Sequence, residues 1–143
     1  MKNNMKNLTF AEIIAAVMVF SYGSREFIRG FFWFKEQESV LGDSDFYIAL
    51  HRIMPIWAWG IIVMVSALIV MLSAVYLSSS DQNTKSSWLL FIGGLLSGIL
   101  YFFMTSASLY HALNWLTPAH MGLMSATGFV VSYIGGANLA RRR

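Results

Sequence analysis

Few residues in this 143-residue chain have side chains that could do chemistry. There is no cysteine, which excludes disulfides, thiol catalysis, Cys-ligated zinc and cysteine-held iron–sulfur clusters. The candidates inside or beside apolar sequence are Glu12 and the three histidines, His51, His111 and His120. Neutral imidazole ligates metals and haem. The three histidines could therefore bind a metal, or two of them a haem, although the sequence predicts no cofactor. No H-E-x-x-H or H-x-x-x-H spacing supports a dedicated metal site. Histidine is also at home where one end of a side chain is apolar and the other wet, and that plainer role stands beside the first. Phosphate-binding glycine loops, a G-x-S-x-G nucleophile and paired carboxylates are all absent, so the sequence predicts no enzyme.

The elements that must position these residues are membrane helices. Hydrophobic residues make up 57% of the chain and charged residues 12%. A soluble domain carries about 25% charged residues. Residues 53–77 contain no charge and, as a helix rising about 1.5 Å per residue, are long enough to cross a hydrocarbon core of about 30 Å. We expect an all-α integral membrane bundle of four transmembrane helices in one domain, over 8–29, 53–77, 88–112 and 119–137. Residues 8–29 read as a first span rather than a cleaved leader, because Glu12 interrupts the apolar region. The alternative is that 8–34 lies along the interface and three helices span. Arg25 and Arg29 share a face and would snorkel to the headgroups, with Phe27, Phe31, Phe32, Trp33 and Phe34 in the interface.

Between spans, 35–44 and 78–87 read as polar connections, with Asp43 or Ser44 capping the segment after the first. Pro55 should lie in the first turn of the second span, and Thr117 should cap the fourth with Pro118 at its first position. Lys2, Lys6, Lys85 and Arg141, Arg142 and Arg143 flank one set of span ends, whereas Glu26, Glu36, Glu38, Asp43 and Asp45 flank the other. The positive-inside rule then places both termini in the cytoplasm and the protein in the cytoplasmic membrane. The three histidines share the outer level, close to Arg25, Glu26 and Arg29. The terminal arginines would anchor the last span and attract anionic lipid.

Ser97, Tyr101, Thr105, Ser108 and His111 form a polar stripe on one face of the third span. Such a stripe serves interhelical hydrogen bonding or lines a polar path. Gly94 and Gly98 make a GxxxG, and Gly128, Ser132 and Gly136 repeat at intervals of four. Small residues let helices approach closely, within the chain or between copies. Glu12, about one turn into the first span, is the one acid expected in the apolar zone, where it could pair with Lys6 or the terminal arginines or carry a proton.

The Asn/Lys-rich start MKNNMKN and the block DSDFYIALHRIMPIWAWG, 43–60, resemble small multi-span membrane proteins of phages and prophages of low-GC Gram-positive bacteria. Some of those are holins, which oligomerise and open the cytoplasmic membrane. The resemblance implies a self-associating, holin-like or exclusion-type protein. The alternatives are a haem- or metal-binding membrane subunit and a passive anchor of a larger complex. The expected partners are the lipid bilayer and either a second copy or another membrane protein. The small excess of positive charge, +3, gives no reason to invoke nucleic acid.

Overall fold

The computed structural model describes residues 9–77, 83–112 and 114–141, and these are almost wholly helical. The elements are α1 (Phe10–Lys35), α2 (Gln37–Asp43), α3 (Asp45–Ile53), α4 (Ile56–Leu77), α5 (Asn83–His111) and α6 (Leu116–Ala140). Three stretches are long and apolar enough to cross a membrane: Ile56–Tyr76, Thr84–His111 and Leu116–Ala140. They mark the chain as a membrane-embedded helical protein.

α1 runs antiparallel along α4. A Cβ at Gly23 would meet Met71, and one at Gly30 would sit 2.7 Å from the Gly60 carbonyl. Ala16, Val17, Phe20 and Ser21 line a shallow groove with Ala74 and Val75. The two helices are thus in register from end to end. α5 packs on both α4 and α6. The α5–α6 seam is just as close: a Cβ at Gly94 would lie 2.6 Å from the Ser132 nitrogen, and one at Gly128 would lie 2.6 Å from that of Gly98. Both small-residue ridges are therefore engaged within one chain. Gly135 rather than Gly136 completes the second ridge. A Cβ at Gly135 would meet the Phe91 nitrogen at 2.5 Å, whereas one at Gly136 meets only the Phe91 ring at 3.2 Å.

Serines stitch the seams where the glycines bring backbones together. Ser66 Oγ donates to the Gly93 carbonyl (3.1 Å), Ser86 to that of Ser73 (2.8 Å), Ser125 to that of Gly98 (2.9 Å) and Ser132 to that of Phe91 (3.0 Å).

Several expected boundaries move. Most of the polar connection 35–44 is helical, as α2, because Val40 has an apolar core to enter. α2 and α3 fold over one end of the bundle, where Val40, Phe46 and Leu50 pack with Trp33, Ile56, Trp59 and Tyr101. Ser44 does precede α3, but its side chain makes no capping bond. Pro55 sits just before α4, not within it, and its carbonyl accepts from Ala58 N (2.9 Å). Gln37 Oε1 takes the neighbouring Trp57 N–H (3.3 Å), a donor that the start of a helix leaves without a partner. Of the expected turn 78–87, residues 83–87 are helical, with Ser86 and Ser87 buried, and 78–82 lie outside the described residues. Trp115, not Thr117, occupies the cap position of α6, and Pro118 is its third residue. The first turn still tolerates proline, because its amides have no intrahelical acceptor.

Candidate polar centre inside the bundle

The acid inside the bundle is Glu26, not Glu12. Glu12 is exposed at the third position of α1 and closes a capping box: its Oε2 accepts from Thr9 N (2.8 Å), while Thr9 Oγ1 accepts from Glu12 N (3.3 Å). A carboxylate there satisfies amides that the helix leaves open and complements the helix dipole. Lys6, Arg142 and Arg143, its other expected partners, lie outside the described residues, and Arg141 is exposed at the end of α6.

Glu26 is 1% exposed. Gly30 packs on Gly60, one turn into α4, and Glu26 lies one turn further along α1. That is about 12 Å from the start of α4, close to the middle of a helix of this length. Ser97 Oγ donates to Glu26 Oε1 at 2.6 Å, and Tyr22 OH lies 2.7 Å from Ser97 Oγ and 3.2 Å from the Met124 carbonyl. One chain of hydrogen bonds therefore joins α1, α5 and α6. Glu26 Oε2 and the Tyr101 hydroxyl are buried without partners.

The rest of the stripe behaves differently. Thr105 Oγ1 donates to its own helix at Tyr101 O (2.7 Å), and Ser108 Oγ to Thr105 O (2.8 Å). Only Ser97 bonds across helices from the stripe, and His111 at its end is exposed.

The two arginines beside Glu26 both contact other residues of the bundle. Arg25 Nη2 lies 3.1 and 2.9 Å from the ring nitrogens of His120. Arg29 Nη1 meets Met121 Sδ at 3.5 Å, and its guanidinium stands 6.0 Å from the Trp33 ring. Trp33 itself is core at 1% exposure, while Phe31, Phe32 and Phe34 face outward.

The three histidines are not brought to one site. His51 in α3 is half-buried with Nδ1 unpartnered, His111 is exposed, and His120 is taken by Arg25. The cleft beside His120 is lined by Arg29, Tyr47, Leu116, Thr117 and Met121, not by the other two. Among the described residues no three His, Asp or Glu side chains are grouped so as to hold a metal ion.

Sequence reasoning passed over Glu26 because Arg25 and Arg29 on either side made it look interfacial. The signal was present in two places. Tyr22, Glu26 and Arg29 fall on one face of α1, and Ser97 and Tyr101 on one face of α5. Comparison with protein-family models, curated proteins and solved structures finds no match. The chemistry of the centre must carry the functional argument.

Proposed function

We propose that the chain is a four-span protein of the cytoplasmic membrane, with both termini in the cytoplasm, that binds and releases a proton at Glu26. It performs no covalent chemistry. The observation that carries this reading is the directional chain Glu26–Ser97–Tyr22–Met124 O. With Glu26 ionised, Ser97 donates to the carboxylate, Tyr22 has two candidate acceptors, and one carboxylate oxygen stays bare. With Glu26 protonated, the same contacts run the other way: acid to Ser97, Ser97 to Tyr22, Tyr22 to the carbonyl. Every hydrogen along this chain of bonds then has an acceptor, and the buried acid is neutral, which is the cheaper form to keep away from water. An ionisable residue inside a membrane bundle is costly to keep there and is by default a functional-site hypothesis.

The α1–α6 seam supports access to this centre. Few backbone contacts join α1 to α6, and the bonds to Met124 and His120 span the seam by side chain. A mostly apolar groove of ≈ 470 Å³ lies along this seam, lined by Ala15, Met18, Val19, Val131 and Ile134 among others. The Arg29–His120 cleft also lies between α1 and α6.

Support for α1 as the fourth span is its end-to-end register with α4 and its outward face of Ile13, Val17, Met18, Ile28 and Phe31. The self-associating, holin-like alternative loses its small-residue motive, since those ridges are filled within the chain.

The test is proton flux in liposomes holding a pH dye, driven by a potassium gradient with valinomycin. Wild type should pass protons without releasing trapped calcein. Glu26→Gln, which keeps shape and loses the exchangeable proton, should not. Equal flux in the variant would sink the reading, and calcein release would turn it toward a holin-like pore.

A further inference from the structure

We infer that the cleft between the end of α1, α3 and the start of α6 is a binding site for a phosphate-bearing anion, held by Arg29 with Arg25, Tyr47, Thr117 and His120 around it. This goes beyond the proton reading and does not depend on it. The cleft has a volume of ≈ 310 Å³ and is lined by Arg29, Tyr47, Leu116, Thr117, His120 and Met121. Its polar lining offers the Arg29 guanidinium and the Tyr47 and Thr117 hydroxyls as donors, and no carboxylate lines it.

Arg29 is the anchor because its present contacts are poor ones for a guanidinium. A thioether at 3.5 Å and an indole ring at 6.0 Å are its direct contacts, and with the Tyr101 hydroxyl and the Glu26 carboxyl close behind it the five-donor fork still has N–H groups for a further acceptor. A phosphate accepts such a fork through two oxygens at once. Arg25 adds a second positive charge across His120. Burial pushes the Tyr47 phenol above its ordinary range, so it remains a neutral donor. Leu116 and Met121 give the cleft an apolar wall, and exposed Trp115 and Leu116 continue it onto the outer surface. That wall suits an amphiphile whose charged head enters and whose chain stays outside. A soluble phosphate ester could use the same donors, so the two sources must be separated by experiment.

The full chain, purified in a neutral detergent, is titrated with dioctanoyl phosphatidic acid, dioctanoyl phosphatidylcholine and inorganic phosphate, and binding is read as a rise in thermal unfolding temperature. Phosphatidic acid should raise it at concentrations where phosphatidylcholine does not. Arg29→Gln should weaken that response about tenfold, the loss of one charge-assisted bond. Arg29→Lys, which keeps the charge but not the fork, should fall between. Thr117→Val is the milder variant should Arg29→Gln fail to fold. It removes one lining hydroxyl and should weaken the same response. Inorganic phosphate acting alone, with the same dependence on Arg29, would support the site and assign it to a soluble anion. An equal response to all three compounds, or an unchanged response in Arg29→Gln and Thr117→Val, would overturn the inference.

Discussion

A buried carboxyl group needs hydrogen bonds to replace lost water, and Glu26 has one such bond for its two oxygens. The Ser97 hydroxyl therefore matters more than its size suggests. Ser97→Ala leaves both carboxyl oxygens without a partner and should cost about 1–3 kcal/mol. Tyr22→Phe removes a bond further along the chain and leaves Ser97 on Glu26. It should cost nearer 0.6 kcal/mol, about the mean for side-chain bonds within membranes. Unfolding free energies in mixed micelles would check the order. In the Glu26→Gln background the cost of Ser97→Ala should change, because residues that share a bond are not additive. Independent effects would mean that the bond does not form. This level was partly legible in advance. The stripe on α5 pointed to Ser97 and Tyr101, but not to what Ser97 meets on α1. Glu12 stood out only because its local sequence is apolar. Its capping role follows from Thr9 three residues earlier, a spacing that reads as a capping box once the helix start is known.

At the scale of helices, the seams follow steps of seven more closely than steps of four. Four residues turn a helix about 40° past a full circle, and seven fall only about 20° short of two circles. From Gly128, two steps of four reach Gly136 and drift by about 80°, while one step of seven reaches Gly135. Gly23 and Gly30 on α1 and Gly60, Ala67 and Ala74 on α4 keep the same step. Interval-four matching found the α5–α6 ridge but missed its last member, and it missed the α1–α4 seam altogether. The test is a neighbouring pair. Gly135→Ala drives a methyl group into the α5 backbone at 2.5 Å and should cost about 1–3 kcal/mol, as overpacking does. Gly136→Ala meets only a ring edge at 3.2 Å and should sit within about 0.5 kcal/mol of wild type. Thermal unfolding in detergent would separate the two, and equal losses would count against this register. The α2–α3 cap was hidden for a different reason. Its sequence is polar overall, and only contact with the bundle end shows why Val40, Phe46 and Leu50 are buried.

For the whole molecule, the decisive question is whether α1 crosses the bilayer. Its composition argues against it, since Glu12, Arg25, Glu26 and Arg29 dilute the apolar run. Its packing argues for it. Glu26 is buried, Arg25 is matched with His120, and Arg29 is half-covered against Met121 and Trp33. The surface left facing outward between Phe10 and Phe34 is mostly apolar, its exposed charges being Glu12 in its capping box and Arg25 against His120. A helix lying in the interface would instead turn its charges to water along one face. The chain has no native cysteine, so single cysteines can report sidedness without background. Thr9→Cys and Glu36→Cys, at the two ends of α1, should react with an impermeant maleimide from opposite sides of sealed vesicles. Lys85→Cys should follow Thr9→Cys, and Asn114→Cys should follow Glu36→Cys. If positions 9 and 36 label from the same side, α1 does not cross. Glu26 would then sit at a headgroup surface, and a proton taken up there would have no second side to reach.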